Sequence, residues 1–364
     1  MKIAAVQLHR YCLPLRAEWL TAVGSFSRRE GYLVRIVTSD ERYGYGDCAP
    51  LAGFCSETMA AAEDVLRACA PGLVGAQVAD ALDDLQRSSA GVTPAARCAL
   101  ETALLDLLAQ ADRMSLARYL CGGASASACF VNAALGSLMQ VSGQAIAAAC
   151  RQGFSVLKLK VGTATVDQEL ARLRRIAVAL PAGTQLRLDA NGAWCETDAG
   201  RFLAGCADLP IEMVEEPLAD PQADTLLRLQ AACVFPLALD ESLAGFDLET
   251  LCAAPPVRRL VLKPSRLGGL LPALHIARRA AAGGLQCVVT SSVDSACGVT
   301  AAAHLAIALD NNLAHGLATS SWLASDLGAS PGIAGGRLAL SDCPGLGFTA
   351  QSALNFSALS GVCR

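Results

Sequence analysis

Five short segments put charged residues where strands should end: Lys158-Leu159-Lys160, Asp189-Ala190-Asn191, Glu215-Glu216-Pro217, Asp240-Glu241-Ser242 and Lys263-Pro264. From Asp189 onward the intervals are 26, 25 and 23 residues, about one strand plus one helix of a parallel sheet. Carboxylates closing three successive strands would stand together at one rim, where barrel enzymes keep their chemistry. Side by side they repel, and three hard oxygen donors suit magnesium, whose other octahedral positions stay with water or substrate oxygens. The expected ligands are Asp189, Glu215 and Asp240. A one-residue slip at a strand end would bring in Glu216 or Glu241 instead, so these two are placed behind the ligands. Asn191 is positioned to hold a metal-bound water or to orient an acid.

The lysines follow from strand alternation. Residues two apart share a face, so Lys158 points with Lys160 and Arg187 with Asp189. Facing the apolar helix layer would be costly, whereas facing the lumen sets two ammonium groups together, where one pKa falls toward the working pH. Lys160 is thus the expected general base, with Lys158 left for substrate binding. Lys263 falls roughly across the lumen. A cation between opposed amines can polarise a substrate carboxylate while one amine removes the adjacent carbon-bound proton, giving an enediolate.

The elements that must position these groups are legible as two patterns. The first part is α+β. Ile3 to Leu8, Gly31 to Thr38 and the short stretch Tyr43 to Asp47 predict strands, then Ser56 to Ala70 and Pro94 to Gln110 predict helices, the latter with Ala, Leu and Cys on one face. From Ala128 a strand-helix rhythm begins. Strands are expected at Phe130–Leu135, Val156–Val161, Gln185–Asp189, Ile211–Glu215, Leu237–Asp240, Arg259–Lys263, Gln286–Ser291 and Leu313–Thr319. Helices are expected at Asp167–Ala179, Asp220–Ala232 and Leu271–Ala282 among others. Eight strands with seven helices between them make nearly a (β/α)8 barrel. The expected division is a capping domain over 1–125, a barrel over 126–323 and a tail over 324–364. The small-residue stretch Cys121 to Ser127 marks the boundary, and a last short strand falls near Leu338 to Leu340.

The 364 residues suit two domains, and 53% hydrophobic content can bury a large interior. A net charge of -4 and no basic run argue against nucleic acid. The most apolar region, Leu267 to Leu285, carries Arg278 and Arg279, so no membrane span is expected. The 16 cysteines are scattered with no C-x-x-C pair, and no secretory signal is evident; reduced thiols in a cytoplasmic protein are expected. Four histidines without zinc spacing leave an oxygen-bound metal. A small-molecule carboxylate is the expected partner; oligomeric state has no signature here.

Together these residues resemble the enolase superfamily and, within it, the muconate-cycloisomerase-like group. The resemblance covers nearly the whole chain. It implies an α/β modified TIM barrel, (β/α)7β, with an N-terminal α+β capping domain on which the tail packs. It also assigns magnesium to Asp189, Glu215 and Asp240, and acid-base roles to Lys160 and Lys263. Ala49-Pro50-Leu51-Ala52-Gly53-Phe54 with Ser56-Glu57-Thr58, Arg187 to Trp194, Thr290 to Ser295, and His315-Gly316-Leu317-Ala318-Thr319 with Trp322-Leu323 are similar to the o-succinylbenzoate synthases of menaquinone biosynthesis.

The implied reaction is dehydration of a succinyl-bearing cyclohexadiene carboxylate. Lys160 would remove the proton, Lys263 would stabilise the enediolate, and Ser291 and Ser292 would bond the succinyl group. Arg187 would orient Glu215 or bind substrate, and a loop from Arg16 to Arg29 would form a lid or stay solvated. An N-acylamino acid racemase or dipeptide epimerase would use the same lysine pair. Members that bind a substrate ammonium commonly carry an acidic pair at the eighth strand end, where this chain has His315 to Thr319, with Asp326 further on. The mandelate-racemase type expects a His base at the seventh, where this chain has Thr290-Ser291-Ser292.

Overall fold

Alternation of buried Tyr11 and Leu13 with exposed Arg10, Cys12 and Pro14 makes the first arm of a long hairpin, one face on the core and one in solvent. The computed structural model describes residues 1–21, 24–51, 57–87 and 91–361. Strand β1 spans Ile3–Thr21, β2 Gly24–Thr38 and β3 Tyr43–Cys48. The expected loop from Arg16 to Arg29 is therefore mostly strand, since Trp19, Leu20 and Thr21 pair with Phe26, Ser25 and Gly24. Its tip, 22–23, lies outside the described residues, as do 52–56 of the Ala49–Thr58 motif.

Helices α1 (Met59–Leu73), α2 (Val78–Arg87), α3 (Pro94–Ala111) and α4 (Leu116–Cys121) follow. The apolar residues of α3 were expected on one face, but it is buried nearly all round, Glu101 and Asp106 included. It lies between β3 and the second half of the molecule, so no face is left for water. Gly44 and Gly46 make that approach possible: a Cβ at either would collide with the Ala103 or Ala99 carbonyl of α3.

The second half alternates. Strand β4 (Ala128–Phe130) precedes β5 (Ala133–Ser137), α5 (Gly143–Arg151), β6 (Val156–Lys160), α6 (Val166–Ala179), β7 (Gln185–Asp189), α7 (Glu196–Gly205) and β8 (Ile211–Glu215). Then come α8 (Ala223–Ala231), β9 (Leu237–Leu239), a 3-10 turn Glu241–Gly245, α9 (Leu248–Ala253), β10 (Arg259–Leu262), α10 (Pro264–Leu267), α11 (Leu270–Ala282), β11 (Gln286–Val289) and α12 (Ala296–Ala308). A second 3-10 turn, Ser320–Trp322, precedes β12 (Gly332–Ala334), β13 (Arg337–Ala339) and β14 (Ser357–Gly361). Thr165 and Gln168 start α6 with a reciprocal capping box, and Ser142 caps α5.

Strands β5 to β11 form one parallel sheet in sequential order. Met213, Ala238, Val261 and Val288 make a separate apolar layer packed with Leu313. Each of the first three lies two residues before an expected site residue, which fixes Glu215, Asp240 and Lys263 on the same face.

Two expected strands differ. Phe130–Leu135 is split, because Ala128–Phe130 pairs with β13 in a three-stranded sheet while Ala133 onward joins β6. Leu313–Thr319 is no continuous strand: His315 bridges Val131 and Gly316 bridges Thr290, both in parallel sense. Those two bridges close the barrel. In the amino-terminal sheet the order is β14-β1-β2-β3, so the end of the chain pairs antiparallel with its beginning. Among the described residues no helix is long and apolar enough to cross a membrane.

Candidate active site

Lys160, Asp189 and Glu215 end β6, β7 and β8 in register, Lys160 beside Asp189 and Asp189 beside Glu215. Asp240 and Lys263 follow β9 and β10 directly. Lys160 and Lys263 are thus separated by the three acid-bearing strands β7, β8 and β9, on opposite sides of the acids.

Asp189, Glu215 and Asp240 are buried. Lys158 stands between the first two, with Nζ 3.0 Å from Asp189 Oδ2 and in contact with Glu215 Oε2. Lys263 Nζ donates to Asp240 Oδ2 at 2.5 Å and to Glu241 Oε1 at 3.4 Å. With ammonium groups interposed, no group of three acidic side chains among the described residues is gathered closely enough to enclose an ion in this arrangement. The donor set nevertheless fits a hard cation. Glu215 Oε1 and Asp240 Oδ1 are buried and accept no hydrogen bond, with only the Arg187 and Arg266 guanidinium groups near, at 3.8 and 3.7 Å, which leaves both free to bind a metal ion.

The charge states sort the lysines. Burial pushes the Lys160 pKa down against the attraction of Asp189, and the Lys158 and Lys263 charges lower it further. Burial also opposes charge on Lys158, but Asp189, Glu215 and Asp240 outweigh it and hold that ammonium firmly charged. Lys263 is likewise raised by Asp240 and Glu241 against its burial, although Arg266 opposes them. Lys160 is the amine of the three with a depressed pKa, and its Nζ donates to Asn191 Oδ1 at 2.7 Å. Asn191 orients that lysine with its side chain, and its backbone N–H bonds Asp189 Oδ1 at 3.1 Å.

Glu216 is turned out of the acidic row. Its Oε2 accepts from the Asp240 N–H at 2.8 Å and the Ser242 N–H at 3.2 Å, which fixes the backbone carrying Asp240. Burial, only partly offset by hydrogen bonds from Ser242 and Asp240, pushes its pKa up to about 7. Glu241 lies 3.6 Å from Arg266. Asn191, Glu216 and Val293 all have positive φ, and all three follow barrel strands at the site. Non-glycine residues there store strain that the surrounding bonds must hold.

Arg187, expected to orient Glu215 or to bind substrate, is fully buried beneath the acids. It donates to Glu212 Oε2 at 2.9 Å, Asn132 Oδ1 at 3.1 Å and the Ala314 carbonyl at 2.7 Å, with Nε 3.8 Å from Glu215 Oε1. In this structure Arg187 is held by internal partners, and Glu215 is its neighbour through charge at 3.8 Å. Glu212 also binds Arg259. Neither was expected from sequence. Arg259 carries a signal, since it shares strand parity with Lys263; Glu212 carries none, because a register shift between Leu186 and Arg187 takes it out of alternation. His315 accepts from the Val289 N–H through Nδ1, and burial, aided by the Arg187 charge, pushes its pKa down to about 3.

At the seventh strand end Ser291 is buried and Ser292 half-buried. Ser291 Oγ lies 2.6 Å from Thr319 Oγ1, which joins the seventh and eighth positions through neutral hydroxyls. The hairpin arm reaches this rim: Leu15 bridges Leu323, and the Trp19 and Trp322 rings meet edge-on at 4.5 Å.

Residues 141–354 match the family model described as enolase C-terminal domain-like. The chain belongs to the enolase superfamily. Residues 3–98 match the model described as MenC, N-terminal domain. A superfamily structure, dipeptide epimerase from Cytophaga hutchinsonii complexed with Mg and D-Ala-L-Val, is similar with a TM-score of 0.89 and 26% identity, covering 99% of this chain and 100% of that one. The L-Lys-D/L-Arg epimerase of Methylococcus capsulatus is 30% identical over 95% of this chain and 99% of its own length. The o-succinylbenzoate synthase of Desulfotalea psychrophila is 31% identical over 72% of this chain and 73% of its own.

Proposed function

We propose that this protein is a magnesium-dependent o-succinylbenzoate synthase, dehydrating 2-succinyl-6-hydroxy-2,4-cyclohexadiene-1-carboxylate to the aromatic product. The observation that carries the reading is the neutral wall at the eighth strand position. Residues 311–325 contain no Asp or Glu, the next acid, Asp326, is taken up by the Ala296 and Leu327 N–H groups and the Ser330 hydroxyl, and Thr319 is bonded to Ser291. A dipeptide's ammonium buried there would lack a counter-charge, a heavy penalty, whereas a succinyl chain needs only hydrogen-bond donors.

Asp189, Glu215 and Asp240 would hold magnesium, which supplies positive charge to the substrate carboxylate and so acidifies the adjacent carbon-bound proton. Neutral Lys160, oriented by Asn191, takes that proton. Lys263, held charged by Asp240 and Glu241, stands on the other side to offset the developing anion. In a syn elimination Lys160 returns its proton to the departing hydroxyl, which leaves as water.

A second reading is favoured by the same opposed amines. In an N-acylamino acid racemase Lys160 would take the proton from one face and charged Lys263 would return one to the other. Similarity to the dipeptide epimerase of Cytophaga hutchinsonii and to the L-Lys-D/L-Arg epimerase of Methylococcus capsulatus supports this chemistry. The deciding experiment compares kcat/KM for the cyclohexadiene substrate with that for N-succinyl amino acids in the presence of magnesium. Dehydration is expected to dominate; racemisation without dehydration would reverse the assignment.

A further inference from the structure

Arg29 of β2 is 2% exposed, yet it sits where the capping sheet meets the loop after β11. Its guanidinium donates to the Pro50 carbonyl at 2.6 Å and to the Ala49 carbonyl, and reaches Asp294 Oδ1 at 3.6 Å. Asp294 in turn accepts the Ser292 N–H at 3.2 Å through its other oxygen. A second acid from the cap joins it: Asp47 takes the Tyr11 hydroxyl at 2.6 Å, and the Ser295 N–H and hydroxyl at 3.0 and 2.8 Å. Two buried carboxylates therefore face one buried cation.

The cluster grips a strained segment. Val293, β-branched, is held at φ 59° between Ser292 and Asp294, a strained conformation that persists only where neighbours impose it. Gly298 leaves room in the first turn of α12 for both acids to pack, since a Cβ there would meet Asp294 and Asp47 at 2.7 Å. Ser291 and Ser292 lie just before this segment. Whatever fixes Asp294 fixes the neutral wall.

We propose that Arg29 is a positioning residue: by tying Ala49 and Pro50 of the cap to Asp294 of the barrel, it sets the Ser291–Ser292 wall that grips the part of the substrate remote from the reacting carbon. This rests on the reading of that wall as the acyl-chain subsite. The lysines and acids are untouched, so the loss should be of uniform binding, seen in KM rather than kcat.

The test uses Arg29→Met, Arg29→Lys and the double variant Arg29→Met/Asp294→Asn in the full chain. For whichever substrate class the wild type turns over, Arg29→Met should raise KM about tenfold with kcat little changed. Arg29→Lys, which keeps the charge but not the fork, should fall between. In the double variant one of the two stranded carboxylates is gone, so thermal stability should recover in part while KM stays high. Unchanged KM in Arg29→Met, or KM returning to normal with stability in the double variant, would overturn the proposal.

Amide exchange separates this from the functional reading. Arg29→Met should lose protection at 290–296 with α6 to α8 unchanged, whatever reaction is catalysed. Unchanged exchange at 290–296 would defeat the clamp even if the dehydratase reading stands.

Discussion

At the scale of single residues the three lysines divide by what surrounds them. Lys160 has burial and two neighbouring ammonium groups against its charge, whereas Lys158 and Lys263 each lie on carboxylates. In the proposed reaction Lys160 is the base and must be neutral to accept a proton, so turnover should rise with pH through the Lys160 pKa, at a pH below the ordinary lysine range. A kcat profile against pH reads this, and Lys160→Ala should cost at least about 10²-fold. Lys158→Met should do something different. It leaves two buried carboxylates without their cation, so in chelator the variant should melt well below wild type, by about 3–5 kcal/mol. Magnesium should then stabilise it more than it stabilises wild type. Equal melting of both proteins in chelator would mean that Lys158 does not neutralise the acids.

Among the elements, close approach of β3 to α3 carries the cap. Gly46→Ala would force the sheet from the helix and should cost about 1–3 kcal/mol in denaturant unfolding; an unchanged midpoint would show slack at that contact. Strands β6, β7 and β8 were legible because a charged residue closes each apolar run, and β7 and β8 fall on their expected bounds. The eighth strand was less legible because Leu313–Thr319 reads as extended while only His315 and Gly316 find ladder partners. Glu212 was hidden by a bulge, which breaks the two-residue period on which face assignments rest. The interposed lysines were invisible for another reason: strand parity gives the face of Lys158 but not which acids it bridges. Asp294 and Arg29 lie far apart in sequence, so nothing local couples them.

For the whole molecule, buried acids join the two halves. Glu101 of α3 accepts the Leu270 and Leu271 N–H groups at 2.5 and 3.1 Å, capping α11 of the barrel from within the cap. Burial, opposed by the hydrogen bonds of Leu271 and Gln86, raises its pKa to about 7 from an ordinary value of 4.5. The folded value lies above the unfolded one, so its contribution is fully present below pH 4.5 and is lost as pH rises through 7. Glu101→Gln should therefore trail wild type most at low pH, with the gap closing by about 3 kcal/mol as pH rises. Unfolding curves at pH 5 and 8 check this; a gap independent of pH would mean that Glu101 is already ionised throughout. Asp106 does similar work, bonding the Tyr45 and Leu346 N–H groups and so joining the cap to the returning tail.

These contacts hold the cap over an acid and lysine site whose remote wall is neutral. The most direct test is appearance of aromatic o-succinylbenzoate from the cyclohexadiene substrate, with magnesium, by wild type and Lys160→Ala side by side. The account predicts rapid product from wild type, almost none from the variant, and none from wild type in chelator. No product from wild type under conditions where it racemises an N-acyl amino acid would contradict it.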